Sequence, residues 1–220
     1  MEYLKPLYLL FQENANKEEA VLMKKYMRDQ FEFAGIKSPK RNELERQFIQ
    51  KYHYPDIESL PEVINTLWKK EEREYQYFAM NFLFNMRNKA KSSQIDLYEN
   101  MVVQKSWWDT VDFIAAALIG NFFIRFPEKR DDYIGKWMSS KNIWLQRSVL
   151  LFQLKFKSHT DIPLLFESII QLKDEKEFFI RKAIGWSLRQ LSKTNPEEVR
   201  KFLTTVKLAP LSVREASKYI

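Results

Sequence analysis

Apolar residues recur at helical spacing along most of the chain. In the helix predicted over residues 178–193, the buried stripe consists of Ile180, Ile184, Ser187, Leu188 and Leu191. No segment of useful length alternates between apolar and polar residues with period two, so we predict no β-strand. Helix ends are marked too: Asn142 is an expected N-cap, and Ser212 is expected to open a capping box with Glu215. The pattern therefore indicates an all-α protein.

The predicted helices also repeat. One helix type can be aligned by a residue in its middle, and successive members lie 35, 34, 35 and 33 residues apart. The aligned residues are Ala79, Ile114, Ser148, Ala183 and Ala216. A second helix is predicted in the intervals, for example over residues 94–104, 131–138 and 162–172. Each such pair buries its apolar face by stacking on its neighbours. The sequence therefore predicts an α-α superhelix (solenoid) of HEAT-like helix pairs, one domain over residues 1–220, with a non-repetitive helical bundle as the alternative.

Composition supports the helical interpretation and removes several kinds of site. The chain contains only four glycines and eight prolines, whereas sheet proteins need more glycine for their tight turns. It contains no cysteine, which excludes disulfides and thiolate metal sites. His53 and His159 are isolated from other ligand residues, and neither a GxGxxG motif nor a P-loop is present. We therefore expect no metal and no nucleotide cofactor.

The sequence gives no indication of a membrane protein. Its longest apolar stretch, residues 113–120, is far shorter than the roughly 20 residues of a membrane span. The N-terminus lacks the basic-then-apolar order of a signal peptide. We therefore expect a cytoplasmic protein with no membrane partner.

Positive charge is concentrated in the second part of the chain, which has a net charge of +7 overall. Residues 1–100 carry 16 basic and 16 acidic side chains, whereas residues 101–220 carry 20 basic and 13 acidic ones. Five of the six tryptophans also lie in that second part. A basic, tryptophan-rich region suits a polyanionic partner such as nucleic acid, although a solvated basic surface has the same composition.

The helix over residues 178–193 carries a second stripe, in which cations surround a tryptophan. Its members, spaced i, i+4, i+7 and i+11, are Lys182, Trp186, Arg189 and Lys193. The spacing places Trp186 away from the core stripe. A tryptophan bordered by Lys and Arg can contact a nucleic-acid backbone while its neighbours hold phosphates. The stripe therefore indicates nucleic-acid contacts, with a surface tryptophan stacked under an arginine as the alternative.

One carboxylate is expected among apolar residues. Trp108 and Asp112 lie one turn apart on a predicted helix, with apolar residues beyond them. A carboxylate there costs several kcal/mol if it is buried without a partner. Arg147 is the expected partner, because it interrupts an apolar run on a helix that should stack beside this one. Such a pair could serve a functional site or simply link two repeats.

Three segments carry a family resemblance: KSWWDTVD over residues 105–112, NIWLQR over 142–147 and KAIGW over 182–186. Together they resemble the AlkD-type family of HEAT-like-repeat DNA glycosylases, and the similarity extends over nearly the whole chain. The resemblance implies a monomer that holds duplex DNA containing alkylated purines on a basic, concave face. It also implies base excision repair, in which the N-glycosidic bond of a cationic N3- or N7-alkylated purine is hydrolysed.

The resemblance implies roles for individual residues as well. Asp112 would be the catalytic carboxylate, and Trp108 and Trp186 would flank the lesion. The other implied residues are Arg147, which would support the site, and the DNA contacts Tyr26, Lys155 and Arg189.

This set is small for a glycosidase, which usually needs two carboxyl groups. An alkylated purine already carries positive charge and leaves as a neutral base, so a general acid is dispensable. One carboxylate can then stabilise the positive charge that develops on the sugar. Two alternatives stay open: a non-catalytic HEAT-like solenoid that binds nucleic acid, and a scaffold that binds protein partners. In both, Asp112 serves only as the partner of Arg147.

Overall fold

The computed structural model describes residues 1–219. Over these residues the secondary structure is helical, and the only bridge outside the helices is an isolated one between Glu32 and Glu72. The prediction of an all-α protein is therefore confirmed. The chain divides into two compact units, Met1–Ala90 (unit 1) and Lys91–Ile220 (unit 2). Two compact units can still belong to one domain, so the expectation of a single domain over residues 1–220 stays a prediction.

Unit 1 is built around an aromatic core. Its helices are α1 (Lys5–Glu13), α2 (Lys17–Tyr26), α3 (Ser38–Tyr52), α4 (Leu60–Trp68) and α5 (Arg73–Met86). The Phe78 ring packs edge to face on Phe11 and Phe48, with ring centroids 6.3 and 5.6 Å apart. By contrast, α2 buries none of its residues. The aromatic part of this core therefore joins α1, α3 and α5, and α4 adds five more buried apolar residues.

Unit 2 consists of helix pairs. Its helices are α6 (Gln94–Val103), α7 (Trp108–Phe113), α8 (Gly120–Arg125), α9 (Arg130–Ser139), α10 (Ile143–Leu151), α11 (Ile162–Leu172), α12 (Phe178–Leu191), α13 (Pro196–Thr205) and α14 (Pro210–Ala216). A π-helical segment, Ile114–Ile119, joins α7 to α8, so that Trp108–Arg125 is one continuous helix. The helices predicted over residues 94–104, 131–138 and 162–172 correspond to α6, α9 and α11.

The predicted repeat agrees with the packing inside unit 2. All five residues used to align the repeat lie in helices and are fully buried: Ala79, Ile114, Ser148, Ala183 and Ala216. In unit 2, α10 packs against the π-helical segment and against α12, and α12 packs in turn against α14. Successive helices of the aligned type therefore lie side by side in unit 2.

One predicted helix end is confirmed and another is wrong. The Asn142 side chain caps α10, because its Oδ1 accepts hydrogen bonds from the backbone N–H groups of Trp144 and Leu145 at 2.9 and 3.2 Å. The capping box at Ser212 does not form, since α14 already begins at Pro210. The Ser212 hydroxyl instead donates to the carbonyl oxygen of Arg181 in α12 at 2.9 Å. A contact between helices thus replaces the local cap.

Candidate catalytic site and nucleic-acid interface

Asp112 and Arg147 form the predicted ion pair. Asp112 lies in α7, and Arg147 reaches it from α10. Arg147 Nε donates to Asp112 Oδ1 at 2.7 Å, and Arg147 Nη2 donates to Oδ2 at 2.8 Å. The third nitrogen, Nη1, donates to the carbonyl oxygen of Phe179 in α12. The guanidinium group therefore links α7, α10 and α12, which are neighbouring helices of the aligned type. It also holds the carboxylate in a bidentate geometry.

Burial and the arginine act on the Asp112 carboxyl in opposite directions. Burial has the larger effect and leaves the pKa of Asp112 above its usual value, although the hydrogen bonds and the positive charge of Arg147 oppose that rise. The bidentate guanidinium favours the ionised carboxylate at neutral pH. The Asp112 side chain is still 15% exposed, while that of Arg147 is only 3% exposed. The site thus holds a fixed carboxylate group whose side chain is partly exposed to solvent.

The helix changes its geometry directly after Asp112. The π-helical segment Ile114–Ile119 begins two residues later, and such segments occur often at functional sites. Immediately beyond it, Gly120 lies against the end of α10. A Cβ atom on Gly120 would lie 2.4 Å from the carbonyl oxygen of Phe152, so only glycine allows this approach. The close approach of the Asp112 helix to the Arg147 helix therefore depends on the absence of a side chain there.

Three aromatic rings pack on one another, and one of them, Phe179, has its ring centroid 5.9 Å from the guanidinium carbon of Arg147. Sequence reasoning assigned no role to any of the three. Trp107 lies with its ring centroid 5.9 Å from that of Trp144 and 5.2 Å from that of Phe179. The rings of Trp144 and Phe179 are 4.9 Å apart. Trp107 and Trp144 belong to the family motifs, whereas nothing local in the sequence indicates Phe179. Its position follows from the stacking of α12 on α10.

The two tryptophans expected to flank the lesion are both partly buried. Trp108 is the first residue of α7, one turn before Asp112. Trp186 lies in α12 and packs against the hydrophobic core of unit 2. Trp186 therefore lies outside the buried stripe of α12, as predicted, but it still contacts the edge of the core. A contact of either ring with DNA stays a prediction.

Two of the predicted DNA-binding cations are bound to an acid that the sequence did not indicate as part of the site. Lys182 Nζ lies 2.7 Å from Glu215 Oε1, and Arg189 Nη1 donates to Glu215 Oε2 at 2.9 Å. The Glu215 side chain is only 4% exposed. Sequence reasoning missed this role because it interpreted Glu215 as part of a local capping box.

The remaining candidates are exposed. Lys155 follows α10 and Lys193 follows α12, and Lys193 Nζ lies 5.3 Å from the centroid of the Tyr219 ring. Tyr26, in unit 1, is 70% exposed at the end of α2. Exposed cations and aromatic rings are suited to DNA contacts, which these residues keep as a prediction.

Residues 1–219 were compared with the requirements of a metal site and of a membrane-spanning helix. No group of three or more His, Cys, Asp or Glu side chains is placed to hold a metal ion within that range. Over the same range, no single helix is long and apolar enough to cross a membrane. One bent pair, Trp108–Arg125 with Pro127–Ser139, has the necessary length and composition, which is weak evidence by itself.

Comparison with known proteins agrees with this architecture. The family model described as "DNA alkylation repair enzyme" matches residues 8–220. A solved structure described as a predicted DNA alkylation repair enzyme from Enterococcus faecalis is 37% identical, with a TM-score of 0.87 over 94% of this chain and 96% of that one. The X-ray structure of AlkD2 from Streptococcus mutans is 22% identical, with a TM-score of 0.65 over 90% of this chain and 99% of that one.

The search of curated proteins found no match. The two solved structures confirm the prediction of a helical-repeat fold, and the family match implies DNA as a partner. From its sequence and its fold, the chain belongs to the family of DNA alkylation repair enzymes.

Proposed function

We propose that this protein is a DNA glycosylase that hydrolyses the N-glycosidic bond of cationic N3- or N7-alkylated purines in duplex DNA. The observation that carries the proposal is the Asp112 carboxylate, which is fixed by Arg147 and has a side chain that is 15% exposed. Membership of a DNA alkylation repair family and the positive charge of residues 101–220 support it.

The chemistry needs little from the protein. When the bond between the purine and C1′ breaks, its electrons neutralise the cationic base, which leaves without a proton. The sugar becomes an oxocarbenium-like cation, and water adds to C1′ and then loses a proton. A fixed negative charge beside C1′ stabilises the cation, and it needs no reorganisation when the bond breaks. We assign this charge to Asp112, and to Arg147 the task of holding it in position.

The two tryptophans supply the second part of the site. The face of an indole ring attracts a cation by about 0.5–2 kcal/mol. Trp108 stands one turn from Asp112, and Trp186 stands between the cations of α12. We propose that both contact the alkylated nucleotide. An unmodified purine would gain little from them, because it is neutral and its glycosidic bond is far more stable.

One observation favours a second candidate, a non-catalytic solenoid that binds nucleic acid. Both oxygens of Asp112 accept hydrogen bonds from Arg147. A purely structural role, in which the pair links α7 to α10, would therefore also account for the ion pair. In that case the protein would bind duplex DNA and leave the alkylated base in place.

Release of free base separates the two candidates. Duplex DNA methylated at purine nitrogens is incubated with the protein, and free bases and abasic sites are quantified against a sample without protein. A glycosylase yields N3-methyladenine and N7-methylguanine in amounts equal to the new abasic sites. If the protein binds this DNA but base release stays at the spontaneous rate, the glycosylase proposal is wrong and the binding candidate stands.

A further inference from the structure

Glu215 brings three cations together beside Trp186. Its carboxylate lies within 2.7 Å of Lys182 Nζ and within 2.9 Å of both Arg189 Nη1 and Lys218 Nζ. Two of these cations belong to α12, and Lys218 follows α14. The position of Trp186 between Lys182 and Arg189 along α12 places the cluster next to the indole ring. We call these four charged residues the Glu215 cluster.

The cluster depends on close packing of α12 against α14. A Cβ atom on Gly185 would lie 2.5 Å from Glu215 Cβ and 2.7 Å from the carbonyl oxygen of Ser212. The missing side chain therefore lets α14 approach α12 closely enough for Glu215 to reach the cations. Since Glu215 is only 4% exposed, its carboxylate lies beneath the cations and not on the surface.

The cations outnumber the acid, and each keeps donors to spare. Hydrogen bonds from Lys182 and Lys218 lower the pKa of Glu215 to about 2, so it is ionised at neutral pH. Three positive charges and one negative charge leave the cluster with an excess of positive charge. A lysine ammonium has three N–H donors and an arginine guanidinium has five. The side chains of Lys182, Arg189 and Lys218 are 37%, 22% and 46% exposed, so unused donors are accessible.

We propose that Lys182, Arg189 and Lys218 bind one phosphodiester group of the DNA backbone, and that Glu215 is the positioning residue that holds them for it. The inference rests on the proposed function in its DNA-binding part and deepens it, because a phosphate held here keeps one strand against Trp186. Free lysine side chains lose much rotamer freedom when they bind, and side chains already fixed by a buried carboxylate lose less. Lys218 thereby becomes a DNA contact that no family motif indicates.

The first test removes Lys218. In equilibrium binding to unmodified duplex DNA, Lys218→Ala should weaken the affinity about fivefold at roughly 0.1 M salt and lower the slope of log K against log salt concentration by about 1. The matched control is Lys201→Ala, because Lys201 is an exposed lysine of α13 outside the cluster. Equal affinity and slope for Lys218→Ala and Lys201→Ala would overturn the phosphate site.

The second test removes the positioning charge. Glu215→Gln makes the protein more positive, so charge alone predicts tighter binding to DNA. The proposal predicts the opposite: an affinity about threefold weaker than the wild type and a smaller salt slope, because the cations disperse. Glu197→Gln makes the same change in charge at an acid that is 82% exposed on α13, and it should leave affinity unchanged or slightly stronger. All variants are compared at a temperature where circular dichroism shows them folded.

A double-mutant cycle completes the test. If Glu215 acts through Lys218, then adding Glu215→Gln to Lys218→Ala should weaken binding by less than the product of the two single effects. Tighter binding by Glu215→Gln, or strictly multiplicative effects, would overturn the positioning role. These measurements use unmodified DNA, so the phosphate site can stand even if no base is released. A wild-type protein that does not bind duplex DNA would contradict both proposals.

Discussion

Asp112 has two roles in this account. Its carboxylate is the proposed stabilising charge for the sugar cation, and its ion pair with Arg147 links α7 to α10. Its partner could be predicted from the sequence, because an arginine in an apolar run requires an acid. The period of the repeat also places Arg147 one repeat after Asp112. Sequence reasoning could not find Glu215 in the same way. A local capping pattern at Ser212 explained that acid equally well, and only the packing of α14 on α12 decides between the two.

Another buried carboxyl, Glu45 in unit 1, makes stability depend on pH. Glu45 lies in α3 and accepts a hydrogen bond from Asn81 Nδ2 at 2.9 Å, with Arg41 as its charge partner. Burial nevertheless raises its pKa to about 7. The folded protein therefore holds a proton on Glu45 between about pH 4.5 and 7, whereas the unfolded chain has lost it. Stability from this group is present below that window and is lost as the pH rises through it.

Replacement of Glu45 by glutamine should remove this dependence. We expect the unfolding free energy of Glu45→Gln, relative to that of the wild type, to increase from pH 4.5 to pH 8, by at most about 3 kcal/mol. Urea unfolding at both pH values measures it, and Glu43→Gln on the exposed face of α3 is the control. A difference between Glu45→Gln and wild type that does not change with pH would show that the Glu45 carboxyl titrates normally.

At the scale of elements, a glycine sets the distance between α12 and α14. Gly185→Ala would place a methyl group 2.5 Å from Glu215 Cβ, so the helices must move apart, and we expect a loss of about 1–3 kcal/mol in unfolding free energy. Gly135→Ala in α9 is the matched control, because no atom lies within 4 Å of the position that a Cβ would take there. That substitution should stabilise the helix by about 0.5–1 kcal/mol. Chemical denaturation of both variants provides the comparison, and equal effects would contradict the close packing.

The helices themselves were largely predictable, whereas their deviations were not. Apolar spacing predicted the paired helices, and the side chain of Asn142 marked the start of α10 correctly. The π-helical segment Ile114–Ile119 has no such signal, since its run of small and branched apolar residues fits an ordinary α-helix equally well. A local pattern of apolar residues therefore does not distinguish the two types of helix.

At the scale of the whole molecule, charge is the property that the sequence predicts most directly. The excess positive charge of residues 101–220 should make binding to duplex DNA depend strongly on salt and weakly on base sequence. We expect log K to fall linearly with log salt concentration, with a similar slope for unrelated duplexes. Titrations at several salt concentrations with two duplexes of different sequence check this. An affinity that does not change with salt would contradict DNA binding through the backbone.

The central claim is that the Asp112 carboxylate stabilises the sugar cation, and single-turnover excision of N7-methylguanine by Asp112→Asn tests it most directly. The Asp109→Asn variant, changed one turn earlier on the same helix, is the control, and thermal denaturation of both shows whether the fold is kept. The account predicts that Asp112→Asn still binds duplex DNA but excises the base about 10²–10³ times more slowly than wild type, while Asp109→Asn stays close to wild type. A folded Asp112→Asn protein with full excision activity would contradict the account.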